Sequence, residues 1–240
     1  MQSLKGKRAI ITGAGKGLGK AIALAFATEG VNIGLISRTE ADLENVSQEA
    51  SKLNSDIKTA SAVANVGSYN ELKTAIAELT EQLGGVDILI NSAGILKMGA
   101  INDLAINDWE EVIQTNVLGT YYAIHEVLPL MVAQQGGDII NIASTAGQKG
   151  NAKMSAYGAS KAAVINLSEA VMQEARKSNI RVSTVNPSTI ATDMTINAKF
   201  TDGNEEKVLQ PSDLAQIIVA HLQLPQRAFI KEVGLWSTNP

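Results

Sequence analysis

The chain has 240 residues, 24 acidic against 20 basic side chains, a formal net charge of −4 and no cysteine. That length suits one large α/β domain or two small ones, and the mild acidity offers no footprint for nucleic acid or an anionic membrane. The missing cysteine excludes disulfides, thiol nucleophiles, iron–sulfur clusters and cysteine-held zinc.

In chain order, the first eight residues carry charge like a signal peptide, but the apolar run that should follow is cut short by Thr12 and Gly13. No stretch approaches the roughly 18 apolar residues of a membrane span, so the expected compartment is the cytoplasm. Short β-rich runs then fall at 8–11, 32–37, 59–64, 88–91, 138–142, 181–186 and 228–233. Helical patterns lie between them at 19–29, 40–53, 69–83, 107–134, 156–178 and 212–221. Strands alternating with helices of this length predict βαβ units and a parallel sheet covered on both faces. No linker or low-complexity tract interrupts the alternation, so one domain spanning 1–240 is expected. Two segments break the rhythm, 148–155 and the polar stretch 188–210; the second reads as a mobile excursion, after which Pro211 opens the next helix. His125 and His221 sit in apolar helical patterns and read as structural, which disfavours a Ser-His-Asp hydrolase and a histidine metal site.

Directly after the first run comes Thr12-Gly13-Ala14-Gly15-Lys16-Gly17-Leu18-Gly19, leading into a helix. Glycines here permit a tight turn and let backbone N–H groups approach a pyrophosphate at a helix N-terminus. The common Gly-x-Gly-x-x-Gly spacing is not met, because position 18 is leucine; the pattern is Thr-Gly-x-x-x-Gly-x-Gly. The second run ends Leu35-Ile36-Ser37-Arg38-Thr39, without the acid that would hold the ribose 2′-hydroxyl of NAD. Ser37 is small and neutral, while Lys16 and Arg38 are two cations suited to a 2′-phosphate, which favours NADP(H) over NAD.

The richest stretch is Tyr157-Gly-Ala-Ser-Lys161, with Ser144 thirteen residues before it. A tyrosine hydroxyl has an unperturbed pKa of about 10. A lysine four residues on shares its helix face, and its ammonium is expected to favour the phenolate and pull that pKa down. Such a tyrosine can exchange a proton near neutrality, as carbonyl–alcohol interconversion requires.

Taken in order, these motifs resemble the short-chain dehydrogenase/reductase family over nearly the whole chain. The turn from Thr12 to Gly19 is similar to its cofactor motif, and Asn91-Ser92-Ala93-Gly94 to its Asn-Asn-Ala-Gly element with Ser92 in place of the second asparagine. Asn116, Ser144, Tyr157 and Lys161 match its catalytic set. The resemblance implies a Rossmann-type doubly wound sheet of about seven strands, with 188–210 as a substrate lid. It implies that Tyr157 exchanges a proton with the substrate oxygen, that Ser144 hydrogen-bonds the same oxygen, and that Lys161 tunes Tyr157 and holds the nicotinamide ribose. Asn116 would position a relay water. Cofactor contacts are implied for Gly13, Gly15, Lys16, Gly17, Leu18, Gly19, Ser37, Arg38, Asn65, Val66, Asn91, Ala93, Gly94, Tyr157, Lys161, Pro187, Ile190 and Thr192, with no metal.

The nearest-looking subgroup is the 3-oxoacyl-ACP reductases. Docking of that acidic carrier calls for cations near 128–137, where none occur, although Arg176 and Lys177 could contribute. Asn65 stands where the family commonly has aspartate, Ser188 replaces the glycine after Pro187, and the ending at Glu232–Pro240 lacks the frequent Asp-Gly-Gly. The expected activity is NADPH-dependent reduction of a small ketone or 3-oxoacyl thioester. The alternatives are an alcohol or sugar dehydrogenase working oxidatively and a non-catalytic NADP-binding regulatory protein. A homotetramer or homodimer is implied by the resemblance alone.

Overall fold

The protein is described by a computed structural model covering residues 1–238; Asn239 and Pro240, the end of the C-terminal segment read above, lie outside the described residues. Seven strands form one sheet: β1 (Arg8–Thr12), β2 (Asn32–Ser37), β3 (Thr59–Val63), β4 (Ile88–Asn91), β5 (Gly137–Ile142), β6 (Ile180–Pro187) and β7 (Glu232–Leu235). Their order is β3-β2-β1-β4-β5-β6-β7 and every pairing is parallel. The helices are α1 (Gly17–Thr28), α2 (Glu40–Leu53), α3 (Tyr69–Leu83), α4 (Ile106–Ile113), α5 (Gly119–Ala133), α6 (Ser155–Ala175), α7 (Asp193–Asn197) and α8 (Pro211–Leu222).

Alternate side chains of each strand feed two cores, one per face. Ile11 packs with Ile22 and Phe26 of α1, Leu43 of α2 and Ile218 of α8. Its neighbour Ile10 packs with Leu72 and Ile76 of α3, Val127 of α5 and Met172 of α6. This double burial explains why the strands read as continuous apolar runs. The order reverses at β1, which pairs with β2 on one side and β4 on the other. At such a switch point the connections leave in opposite directions and open a crevice at the strands' C-terminal ends.

Three expectations need correction. The run 228–233 does not form a strand as read; β7 begins at Glu232, pairing with Thr184. Ala228 is instead held in a turn, its N–H on the Pro225 carbonyl and its own carbonyl on the Arg181 guanidinium. That guanidinium also bonds Asp138 and the carbonyls of Leu222 and Leu224, so one buried arginine shapes the whole approach to β7. The helix expected over 107–134 is broken by a π-turn at Gln114–Leu118, and the last turn of 156–178 tightens to a 3₁₀ turn ending on left-handed Asn179. The polar stretch 188–210 contains the short α7 and returns on itself through a bridge between Ile190 and Leu209. Ser188 avoids left-handed backbone, and its N–H bonds the Leu235 carbonyl.

His221 is buried between Ser183 and the Ile230 amide, and burial beside Arg181 lowers its pKa to about 4. His125 differs from the sequence reading: it is exposed on α5, beside Glu126.

Candidate active site

The glycine turn after β1 is built by close backbone approach. Gly13 has φ +67°, and a Cβ there would lie 2.7 Å from the Cα of Ala93. At Gly19 a Cβ would lie 2.3 Å from the carbonyl oxygen of Gly13, locking α1 against the turn. Thr12 Oγ1 accepts the N–H groups of Ser92 and Ala93, each at 3.2 Å, which stitches the β1 and β4 ends together. Gly17 has φ +55° and faces the Thr192 methyl group. Lys16, the residue before α1, makes no side-chain cap to the first-turn N–H groups, so these stay free for an anion.

One cleft runs over the strand ends. The turn contributes Gly13, Gly15, Lys16, Gly17 and Leu18 to it, and the end of β2 contributes Ser37 and Arg38. Asn65 and Val66 line the far wall, with Ala93 and Gly94 beneath. Pro187, Ile190 and Thr192 close the side nearest α7. The Asn65 side-chain oxygen is already engaged by the Gly67 N–H at 3.0 Å. Gly19 and Asn91 stand behind the wall: Asn91 is buried with its amide on Asn141, which passes the chain of bonds to Ser168. A dinucleotide fits these residues, because the turn removes side chains where a Cβ would collide and leaves helix N–H groups facing the cleft.

Ser144, Tyr157 and Lys161 meet at one end of the cleft. β5 leads directly to Ser144, whose Oγ accepts the Ala146 N–H at 3.1 Å. Tyr157 sits in the first turn of α6 and Lys161 one turn later. Lys161 is 6% exposed and donates to the Ile142 carbonyl at 2.8 Å, with its ammonium 5.6 Å from the Tyr157 ring centre. The expected lowering of the tyrosine is not found. Burial raises Tyr157, opposed by its hydrogen bond with Ser144. Burial also lowers Lys161 to about 8. Burial works against the charged form of both side chains, the Tyr157 phenolate and the Lys161 ammonium, so desolvation outweighs the pairing that spacing suggests.

Asn116 lies behind this group, 1% exposed, in the π-turn. Its Oδ1 accepts the Ile95 N–H at 2.8 Å, and its Nδ2 donates to the Ile95 carbonyl and to Ser160 Oγ, both at 3.0 Å. Ser160 Oγ donates to the Tyr157 carbonyl at 2.7 Å. Asn116 thus ties the loop after β4 to the helix carrying Tyr157. A Cβ on Gly94 would lie 3.4 Å from Asn116 Oδ1 and 3.6 Å from Lys161 Nζ, so glycine keeps the gap between them open.

Sequence reasoning missed Ser160, whose hydroxyl completes this link, and Asp42, which lines the same cleft as Lys16 and Arg38. Ser160 sits inside the motif itself and was findable; Asp42 enters from the first turn of α2 by folding alone.

Residues 7–202 match the family model described as short chain dehydrogenase. An uncharacterized oxidoreductase of Staphylococcus saprophyticus is 34% identical over 233 residues, covering 97% of this chain and 98% of the relative. Among solved structures, levodione reductase superposes with a TM-score of 0.90 at 25% identity, covering 97% of each chain. A short-chain type dehydrogenase/reductase from Mycobacterium marinum gives a TM-score of 0.88 at 29% identity, covering 97% of this chain and 95% of that one.

Proposed function

The chain belongs to the short-chain dehydrogenase family, and from that premise we propose that it is an NADP(H)-dependent oxidoreductase reducing a ketone to an alcohol. The observation that carries the reading is the meeting of Ser144, Tyr157 and Lys161 at one end of a glycine-floored cleft. A bound nicotinamide dinucleotide supplies the hydride equivalent. The chain supplies the rest. The Tyr157 hydroxyl, raised further by burial, carries its proton at neutral pH and is placed to give it to a carbonyl oxygen. Ser144 hydrogen-bonds the same oxygen and stabilises its developing charge. Lys161 supplies a cation beside the tyrosine as its proton leaves, and Asn116 fixes the Ile95 backbone that walls the site. Lys16 and Arg38 favour a 2′-phosphate.

The likeness to a protein named for reducing levodione supports the reductive direction. Substrates in view are small ketones and 3-oxoacyl thioesters, admitted beneath a lid formed by 188–210. The test is NADPH consumption against diketones, acetoacetyl thioesters, pterins and sugars, with NADP-dependent alcohol oxidation run in parallel. Faster oxidation than reduction across the panel would favour the oxidative alternative. No turnover despite tight NADPH binding would favour the regulatory one. Assembly as a homodimer or homotetramer is tested by light scattering.

A further inference from the structure

We propose that Asp42 limits how strongly the cleft prefers a 2′-phosphorylated dinucleotide, acting against Lys16 and Arg38. The inference rests on reading the cleft as a nicotinamide-dinucleotide site, and names a residue that tunes the choice. The end of β2 offers only Ser37 and Arg38, and the glycine turn Lys16; folding adds a carboxylate. Asp42 lies in the first turn of α2 and lines the cleft together with Lys16, Ser37 and Arg38. Its placement is tight. A Cβ built on Gly15 would fall 2.9 Å from Asp42 Cβ and 3.0 Å from Ser37 Oγ, so Asp42 is packed against the glycine turn where its neighbour has no side chain.

Its charge is not spent on a partner. Among the described residues, the ion pairs include none of Asp42, Lys16 and Arg38. This end of the cleft therefore carries net +1 where the two cations alone would give +2. A 2′-phosphate gains from Lys16 and Arg38 and is opposed by Asp42. A 2′-hydroxyl brings no charge and can donate to the carboxylate. One acidic side chain thus works against the phosphorylated cofactor without touching the other's charge balance. A solely helix-capping role for Asp42, complementing the α2 dipole, would change stability and leave cofactor choice alone.

The experiment measures dissociation constants of NADPH and NADH, by nicotinamide fluorescence, for the wild type and Asp42→Asn. Removing one like charge that shares a solvated cleft with the phosphate should tighten NADPH about three- to tenfold at low salt. NADH should shift by less than about twofold, and the gain should shrink toward unity at roughly 0.5 M salt. Adenosine 2′,5′-bisphosphate should gain as NADPH does, and adenosine 5′-monophosphate should not. An unchanged or weakened NADPH affinity in the variant, or equal shifts for both dinucleotides, overturns the assignment. The wild-type ratio is read separately: tighter NADH than NADPH would remove the NADP preference proposed above, while the Asp42→Asn shift would still decide the role of Asp42.

Discussion

Replacing Lys161 by methionine should make the cofactor-free protein more stable at neutral pH while removing its activity. Lys161 is buried, and its described contacts include a carbonyl but no carboxylate. Burial lowers its pKa from 10.5 to about 8. The sign follows from linkage: below pH 8 both folded and unfolded chains carry the proton, and the fold bears the full cost of a buried ammonium. Between 8 and 10.5 the unfolded chain binds more protons than the folded one, so wild-type stability gains with pH. The full cost is about 3 kcal/mol at 1.36 kcal/mol per unit. Methionine keeps the stem packing but strands the Ile142 carbonyl, which returns about 1–2 kcal/mol.

The variant should therefore be about 1–2 kcal/mol more stable at pH 7, near 3–6 °C in Tm for a chain of this size. The stranded carbonyl costs the same at every pH. The stability difference between the variant and wild type should then fall by about 2–3 kcal/mol between pH 7 and pH 10. Urea denaturation of both proteins at several pH values measures that difference, and Tyr157 and the surface groups largely cancel within it. A difference flat with pH, or one growing as pH rises, would refute the reasoning, because a buried unpaired ammonium cannot produce either.

Three further outcomes are expected. Tyr157→Phe should lower kcat by at least about 100-fold with NADPH affinity unchanged within about twofold, measured by steady-state kinetics and fluorescence titration; a variant that turns over normally would remove Tyr157 from the proton step. Gly19→Ala should destabilise by about 2–3 kcal/mol in urea, since its Cβ would meet the Gly13 carbonyl at 2.3 Å; a neutral effect would mean the turn yields easily. Arg181→Ala should cost about 3–5 kcal/mol by the same assay, because it leaves the largely enclosed Asp138 carboxylate and three backbone carbonyls without their partner; a loss below about 1 kcal/mol would show that water replaces it.

What the chain order declared and what it withheld divide along a physical line. α2 and α3 begin and end where periodicity put them, because each has one apolar face and polar flanks that local sequence records. The glycine turn was legible for a related reason: positions that exclude a Cβ show as glycine wherever the backbone crowds. β7 starts later than the sequence suggests because Phe229 and Ile230 carry strand-favouring side chains, yet a distant arginine fixes the Ala228 backbone before them in a turn. The π-turn was invisible since Asn116 earns its geometry from bonds to Ile95 and Ser160, residues 21 and 44 positions away.

Charge was the least legible property. Helical spacing places Lys161 beside Tyr157, but the direction in which each titrates depends on how much water the fold removes, which no spacing encodes. Burial raises Tyr157 where the spacing leads one to expect a lowering. Asp42 repeats the lesson elsewhere in the cleft, where a first-turn acid that looks like ordinary helix capping comes to line the same cleft as two cations. In both places the residue types were in plain view and their neighbours were not. The chemistry of the cleft is thus set by two quantities that arise on folding: the loss of water around Tyr157 and Lys161, and the net charge around Gly15.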